Sequence, residues 1–180
     1  MNDGLIARRY AKAFLKYAEE QKAAGQAYGQ MKQLSATYAG SAKLKKAVGN
    51  KFIQADDKVK LLLAASGATG SDCLAKFIKL VIDHNREDFM YEMALSYQSL
   101  YREANNITQI EIVTASEMPD ATLKRITDVV KSRLTGKKVE ETHRVDPTLI
   151  GGFIVKVDTM QLDASIKNEL KKLRLKLLSN

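Results

Sequence analysis

The residues able to do chemistry are few in this chain, and their spacing argues against each familiar use. His84 and His143 lie far apart with no ligand pattern near either. Each reads as a structural or surface residue rather than a metal ligand. A single cysteine, Cys73, excludes Cys-pair zinc sites and any internal disulfide. It sits beside Leu74 in an apolar run and is expected to be a buried, inert thiol. Two acid pairs, Asp56-Asp57 and Glu140-Glu141, are sequence neighbours, and neighbours on a helix or strand do not face one another. Neither makes a carboxylate dyad, and Asp56-Asp57 suits a helix N-terminus instead. Gly151-Gly152 invites a phosphate-loop reading, but Phe153-Ile-Val-Lys-Val157 follows it and reads as a strand. Phosphate cradling needs a helix N-terminus directly after the glycines, and no Gly-Lys-Ser/Thr pattern occurs. No serine has a base partner. The tyrosines lie at core spacing, not interleaved with basic residues as a nucleic-acid stacking platform requires. No catalytic, metal-binding or cofactor-binding residue is assigned, and no cofactor is expected.

What remains to be positioned is apolar surface. The 180 residues are 45% hydrophobic and 28% charged, with 2 prolines and 10 glycines, which describes a globular chain with a real core. No apolar run approaches the roughly 18 residues of a membrane span, and no secretory signal opens the chain. The expectation is a soluble protein made in the cytosol. The net charge is +8. Residues 1–105 hold 16 Lys/Arg against 11 Asp/Glu, and residues 106–180 hold 13 against 10, so the excess is spread and forms no long basic run. That favours a generally basic surface over a dedicated nucleic-acid groove, although a basic helical nucleic-acid-binding or scaffold module is the alternative reading.

The hydrophobic period divides the chain near residue 105. Before it, six stretches read as helices. The first, residues 4–22, carries an apolar stripe of Ile6, Tyr10, Ala13, Phe14 and Tyr17. A neighbouring stripe of Ala7, Ala11, Leu15 and Ala18 makes the apolar arc wider than one packing face requires. The fifth, opening at Ser71 or Asp72 and running to Asp83, has a thin polar stripe of Lys76, Lys79 and Asp83. Such a helix is either central in a bundle or presents a patch to a partner. The sixth runs from Glu87 to Asn105. After the boundary, Ile107 to Val113 and Lys138 to Val145 read as strands, and a helix from Asp120 or Thr122 to Leu134 is stopped by Gly136. The Gly151-Gly152 strand follows, Met160 to Leu162 returns as another, and Asp163 or Ser165 caps a last helix. That helix bears Ile166, Leu170, Leu173 and Leu177 with a basic flank that includes Arg174. The fold class is mainly α: a helical domain over residues 1–105 and a small α/β domain over residues 106–180.

Several of these segments resemble one family. They are Ala7-Arg-Arg-Tyr-Ala-Lys-Ala-Phe14, Phe77-Ile-Lys-Leu-Val81 with Asn85-Arg86, Val113-Thr-Ala-Ser116, and Leu149-Ile-Gly-Gly-Phe153 followed by Asp163-Ala-Ser-Ile166 and Leu170-Lys-Lys-Leu173. In this order, over the whole chain, they are similar to the delta-subunit family of F-type ATP synthases, which includes the mitochondrial oligomycin-sensitivity-conferring protein. Val157-Asp-Thr159 departs from the Val-Gly turn common in that family. The resemblance implies a non-catalytic stator component with an N-terminal six-helix bundle, held at the cytoplasmic face of the bacterial plasma membrane through its complex. It implies that a groove between the first and fifth helices binds the N-terminal helix of an alpha subunit. It also implies that the C-terminal domain binds the C-terminal end of the b-subunit stalk. The expected groove walls are Ala7, Ala11, Phe14, Leu15 and Ala18 on one side and Leu74, Phe77, Ile78, Val81 and Ile82 on the other. For the b subunit the candidates are Leu170, Leu173, Arg174 and Leu177, with the leucine stripe expected to pack on the local sheet.

Overall fold

The computed structural model describes residues 3–133, 138–157 and 160–178. It divides the chain into two units, Met1–Ala104 and Asn105–Asn180. Among the described residues of the first unit there are six α-helices: α1 (Asp3–Glu20), α2 (Ala24–Gly40), α3 (Ala42–Val48), α4 (Ala55–Ser66), α5 (Cys73–Asp83) and α6 (Met90–Ala104). The sixth starts later than its periodicity predicts, because Glu87–Phe89 forms a separate 3-10 turn before it.

Local chemistry explains the boundaries. Gly67 ends α4 in the left-handed conformation, with φ of 65°. Its N–H donates to the Ala64 carbonyl and the Ala68 N–H donates to the Leu63 carbonyl, which satisfies two terminal acceptors of the helix. Asn85 does the same for α5 at φ of 53°, and asparagine is among the few side chains that tolerate that region. Asp72 precedes α5 as expected, but its carboxylate does not cap the helix. It accepts instead from the Thr69 N–H and from Gln26 and Gln30 of α2, and so fixes the start of α5 against that helix.

The core of this unit is built where helices come closest. α1 packs along α6, α2 packs on α6 and α4, and α4 packs on α5. Ala7, Ala11 and Ala18 of α1 are wholly buried, as are Met90, Met93, Ala94 and Tyr97 of α6. Small side chains on α1 permit the close approach, since interhelix distance follows the side chains at the contact. Tyr97 donates its hydroxyl to the Ala24 carbonyl at 3.1 Å, so the largest buried ring leaves no stranded donor.

The second unit is a four-stranded sheet in the order β2-β1-β3-β4, from β1 (Ile107–Thr114), β2 (Lys138–Val145), β3 (Gly152–Val157) and β4 (Met160–Ser165). β1 and β2 run parallel, so a crossover must join them, and helix α7 (Asp120–Arg133) provides it. The other two pairings are antiparallel. Ile110, Ile112 and Val155 form the core, packed against Leu123, Ile126 and Val130 of α7 and against Val139, Phe153 and Val157. On the opposite face of β1, Glu111 meets Lys156 at 3.0 Å and Arg144 at 3.4 Å. Ser165 caps the last helix, α8 (Ile166–Leu178), by accepting from the Asn168 N–H, and Asp163 in turn accepts from the Ser165 N–H. Gly136, expected to stop α7, and the Asp158-Thr159 turn lie outside the described residues.

Gly152 opens β3 with φ of 81°, and a Cβ there would collide with the Ala164 carbonyl of β4. The glycine therefore serves close strand approach, not a phosphate.

Candidate functional site

Between α1 and α5 the first unit carries an open groove of about 520 Å³. Arg9, Tyr10, Ala13, Phe14 and Tyr17 line it from α1, and Lys76, Phe77 and Leu80 from α5. Phe14 and Phe77 stack across its floor with ring centroids 4.3 Å apart. Leu80 is 46% exposed, a large apolar side chain left on the surface of a helix whose opposite face is wholly in the core.

The groove joins the two helices that the sequence singles out, but most of its wall lies at other positions. Of the ten residues expected there, Phe14 and Phe77 line it. Ala7, Ala11, Leu15, Ala18, Leu74, Ile78, Val81 and Ile82 are all core residues, none more than 8% exposed. The reason is physical. The alanine stripe is the one that admits a close neighbour helix, whereas Tyr10 and Tyr17 keep their polar tips outside the core. Tyr10, Ala13 and Tyr17 belong to the first of the two stripes visible in the sequence, so the roles of the stripes are exchanged. Leu80 was legible only as one of many apolar residues on α5.

In the second unit, large exposed apolar side chains gather on β4 and α8. Leu162 and Leu170 are each more than half exposed, and Leu177 is 80% exposed. Arg174 is exposed as well, and the side chain of Leu173 lies outside the described residues. Leu170 and Leu177 of the α8 stripe are thus exposed and not covered by the local sheet as expected, and β4, from which α8 emerges, is the strand of that sheet that α8 meets. Ile150 is also 72% exposed, at φ of 61° in a tight turn whose Gly151 N–H donates to the Leu149 carbonyl at 2.5 Å. A β-branched residue seldom adopts that region.

The candidate chemical residues are occupied structurally. His84 Nδ1 lies 2.7 Å from the Leu80 carbonyl, and His143 Nε2 lies 2.8 Å from the Thr114 hydroxyl. Cys73 is half-buried and not buried as expected, and desolvation still pushes its thiol up, away from the reactive thiolate. Asp57 pairs with Lys60, and Glu141 pairs with Lys131. Among the described residues there is no cluster of three metal-ligating side chains, and no helix is long and apolar enough to cross a membrane.

Comparison with known proteins finds relatives that match along almost the whole chain. A model of the ATP synthase delta (OSCP) subunit family matches residues 6–177. The ATP synthase subunit delta of Parabacteroides distasonis is 34% identical over 180 residues, covering 100% of this chain and 99% of that one. The corresponding protein of Phocaeicola vulgatus is 36% identical over 172 residues, covering 95% and 92%. A chain in the cryo-EM structure of the Toxoplasma gondii mitochondrial ATP synthase hexamer has the same fold, with a TM-score of 0.73 at 16% identity over 99% of this chain and 98% of that chain. The chain belongs to the ATP synthase delta (OSCP) subunit family.

Proposed function

We propose that this chain is the stator subunit of a bacterial F-type ATP synthase, a non-catalytic tether that holds the catalytic head against the torque of the rotor. The single observation that carries the reading is the apolar groove between α1 and α5. The first unit acts as a six-helix bundle whose groove receives the N-terminal helix of an alpha subunit. An amphipathic helix laid in such a groove is recognised through anchors at i, i+3, i+4 and i+7. Tyr10, Ala13, Phe14, Tyr17, Phe77 and Leu80 are the residues placed to meet those anchors. The second unit takes the C-terminal end of the b subunit on the exposed β4–α8 surface, with Leu162, Leu170 and Leu177 as apolar anchors and Arg174 beside them. Both contacts belong at the cytoplasmic face of the plasma membrane, which the chain reaches only through its complex.

Calorimetry with a synthetic alpha-subunit N-terminal peptide tests the groove. Ala13 is exposed and lines it, so Ala13→Arg leaves the fold intact. The expected result is binding weaker by tenfold or more, on the order of 1.4 kcal/mol. Unchanged affinity with unchanged circular dichroism overturns the reading.

A further inference from the structure

The groove is apolar along its floor but marked by cations at both ends. Tyr10 and Tyr17 both line it and sit seven residues apart on α1, which at the helical rise is about 10.5 Å. Each tyrosine is paired with a cation from outside α1. The Lys76 ammonium donates to the Tyr17 hydroxyl at 3.4 Å. The Arg86 guanidinium stands over the Tyr10 ring, 5.9 Å from its centroid. Arg9 lines the groove beside Tyr10. No aspartate or glutamate lines it, and among the described residues none of these three cations makes an ion pair with a carboxylate.

We propose that the groove reads charge as well as shape: it selects a helix bearing two carboxylates seven residues apart at the two ends of its apolar stripe. One carboxylate meets Lys76, and the other meets Arg9 and Arg86. The proposal rests on the reading that the groove holds a partner helix, and it adds what that helix must carry. An apolar stripe alone could slide along a smooth groove in steps of one turn. Two charge contacts two turns apart remove that freedom, because a shift by one turn breaks both at once. Such contacts act chiefly on encounter rate and register, while the apolar floor supplies most of the affinity. A head that must not slip under torque needs a fixed register at this joint.

The test uses the full chain and three synthetic amphipathic peptides with a common apolar stripe. One carries glutamates at i and i+7, one carries lysines there, and one carries both glutamates on a single turn. The glutamate i, i+7 peptide is expected to bind at least tenfold tighter than the lysine peptide and severalfold tighter than the single-turn peptide. The advantage should shrink in concentrated salt. Arg9→Glu combined with Lys76→Glu, two exposed positions whose change spares the core, should invert the preference. Equal binding of all three peptides, insensitive to salt and to the double variant, overturns the charge reading and leaves the groove as a docking site. If neither these peptides nor the alpha-subunit peptide binds, the groove reading fails and this one with it.

Discussion

Phe14 of α1 and Phe77 of α5 stack with their rings 23° from parallel, and Phe14 also contacts the Tyr97 ring of α6 at 5.0 Å. One side chain therefore ties three helices together beneath the groove. Phe14→Ala is expected to destabilise the protein by about 3–5 kcal/mol, the range for removing a buried phenylalanine. Urea denaturation followed by circular dichroism measures it, and a loss below about 1 kcal/mol would contradict the packing described for this ring.

Lys58 of α4 and Glu87 of the 3-10 turn before α6 form an ion pair at 2.6 Å with both side chains largely buried. The second Glu87 oxygen has no hydrogen-bond partner. Removing the lysine leaves a carboxylate inside with nothing to compensate it. Lys58→Met should therefore cost about 3 kcal/mol, and Lys58→Met with Glu87→Leu should recover most of the loss. A double-mutant cycle in urea decides this, since simple additivity of the two changes excludes a coupled pair.

Asp72 and Asp146 carry carboxyls held below the usual carboxylate range. For Asp72 the cause is first the Thr69 backbone N–H and then Gln30; for Asp146 it is first the Thr148 hydroxyl and then its N–H. A carboxyl whose folded value is depressed binds fewer protons in the folded state than in the unfolded state. Its stabilisation is complete above the unfolded value, near 3.9, and is lost as pH falls through the lower folded value. Thermal midpoints of the wild type should therefore fall on acidification from about pH 5 towards pH 2. Asp72→Asn and Asp146→Asn should each flatten part of that slope, and parallel slopes in variant and wild type count against the hydrogen bonds assigned.

Gly152→Ala asks an alanine to take φ of 81° while its Cβ meets the Ala164 carbonyl. The backbone strain alone is worth about 1–3 kcal/mol, and the clash adds to it. Amide hydrogen exchange should show the β3–β4 pairing opening more readily, with the α1–α6 amides unaffected. Unchanged protection at Val155 and Leu162, which pair across those strands, would refute the account.

The sequence made the helices legible but not their rotation. On α1 the period marks two adjacent apolar stripes, and nothing in the spacing says which turns inward. The answer depends on α6, more than seventy residues away, whose Met90, Met93, Ala94 and Tyr97 fill the space against it. Ala11, chosen from sequence as a groove residue, is wholly buried, so an arginine there would test folding and not binding. A cap at Asp163 or Ser165 was readable because capping is local chemistry, and of the two it is Ser165 that accepts from the helix. The exposure of Leu170 and Leu177 was not, because heptad-like leucines look the same whether the surface that covers them belongs to this chain or to another.

The sheet order has a consequence for synthesis. β1 is the first strand of its unit to leave the ribosome, yet it sits in the middle of the sheet, bonded to β2 on one side and β3 on the other. It must wait for both neighbours, and the last strand ends only at Ser165. At about 5–20 residues per second, the sixty residues between the end of α6 and that point take roughly 3–12 seconds to make. The helical unit is complete in sequence before this interval begins, so it is able to fold first and alone. In the part of that interval before β2 is made, Ile110 and Ile112 have no partner strand, so the nascent β1 leaves its unpaired edges and apolar face uncovered.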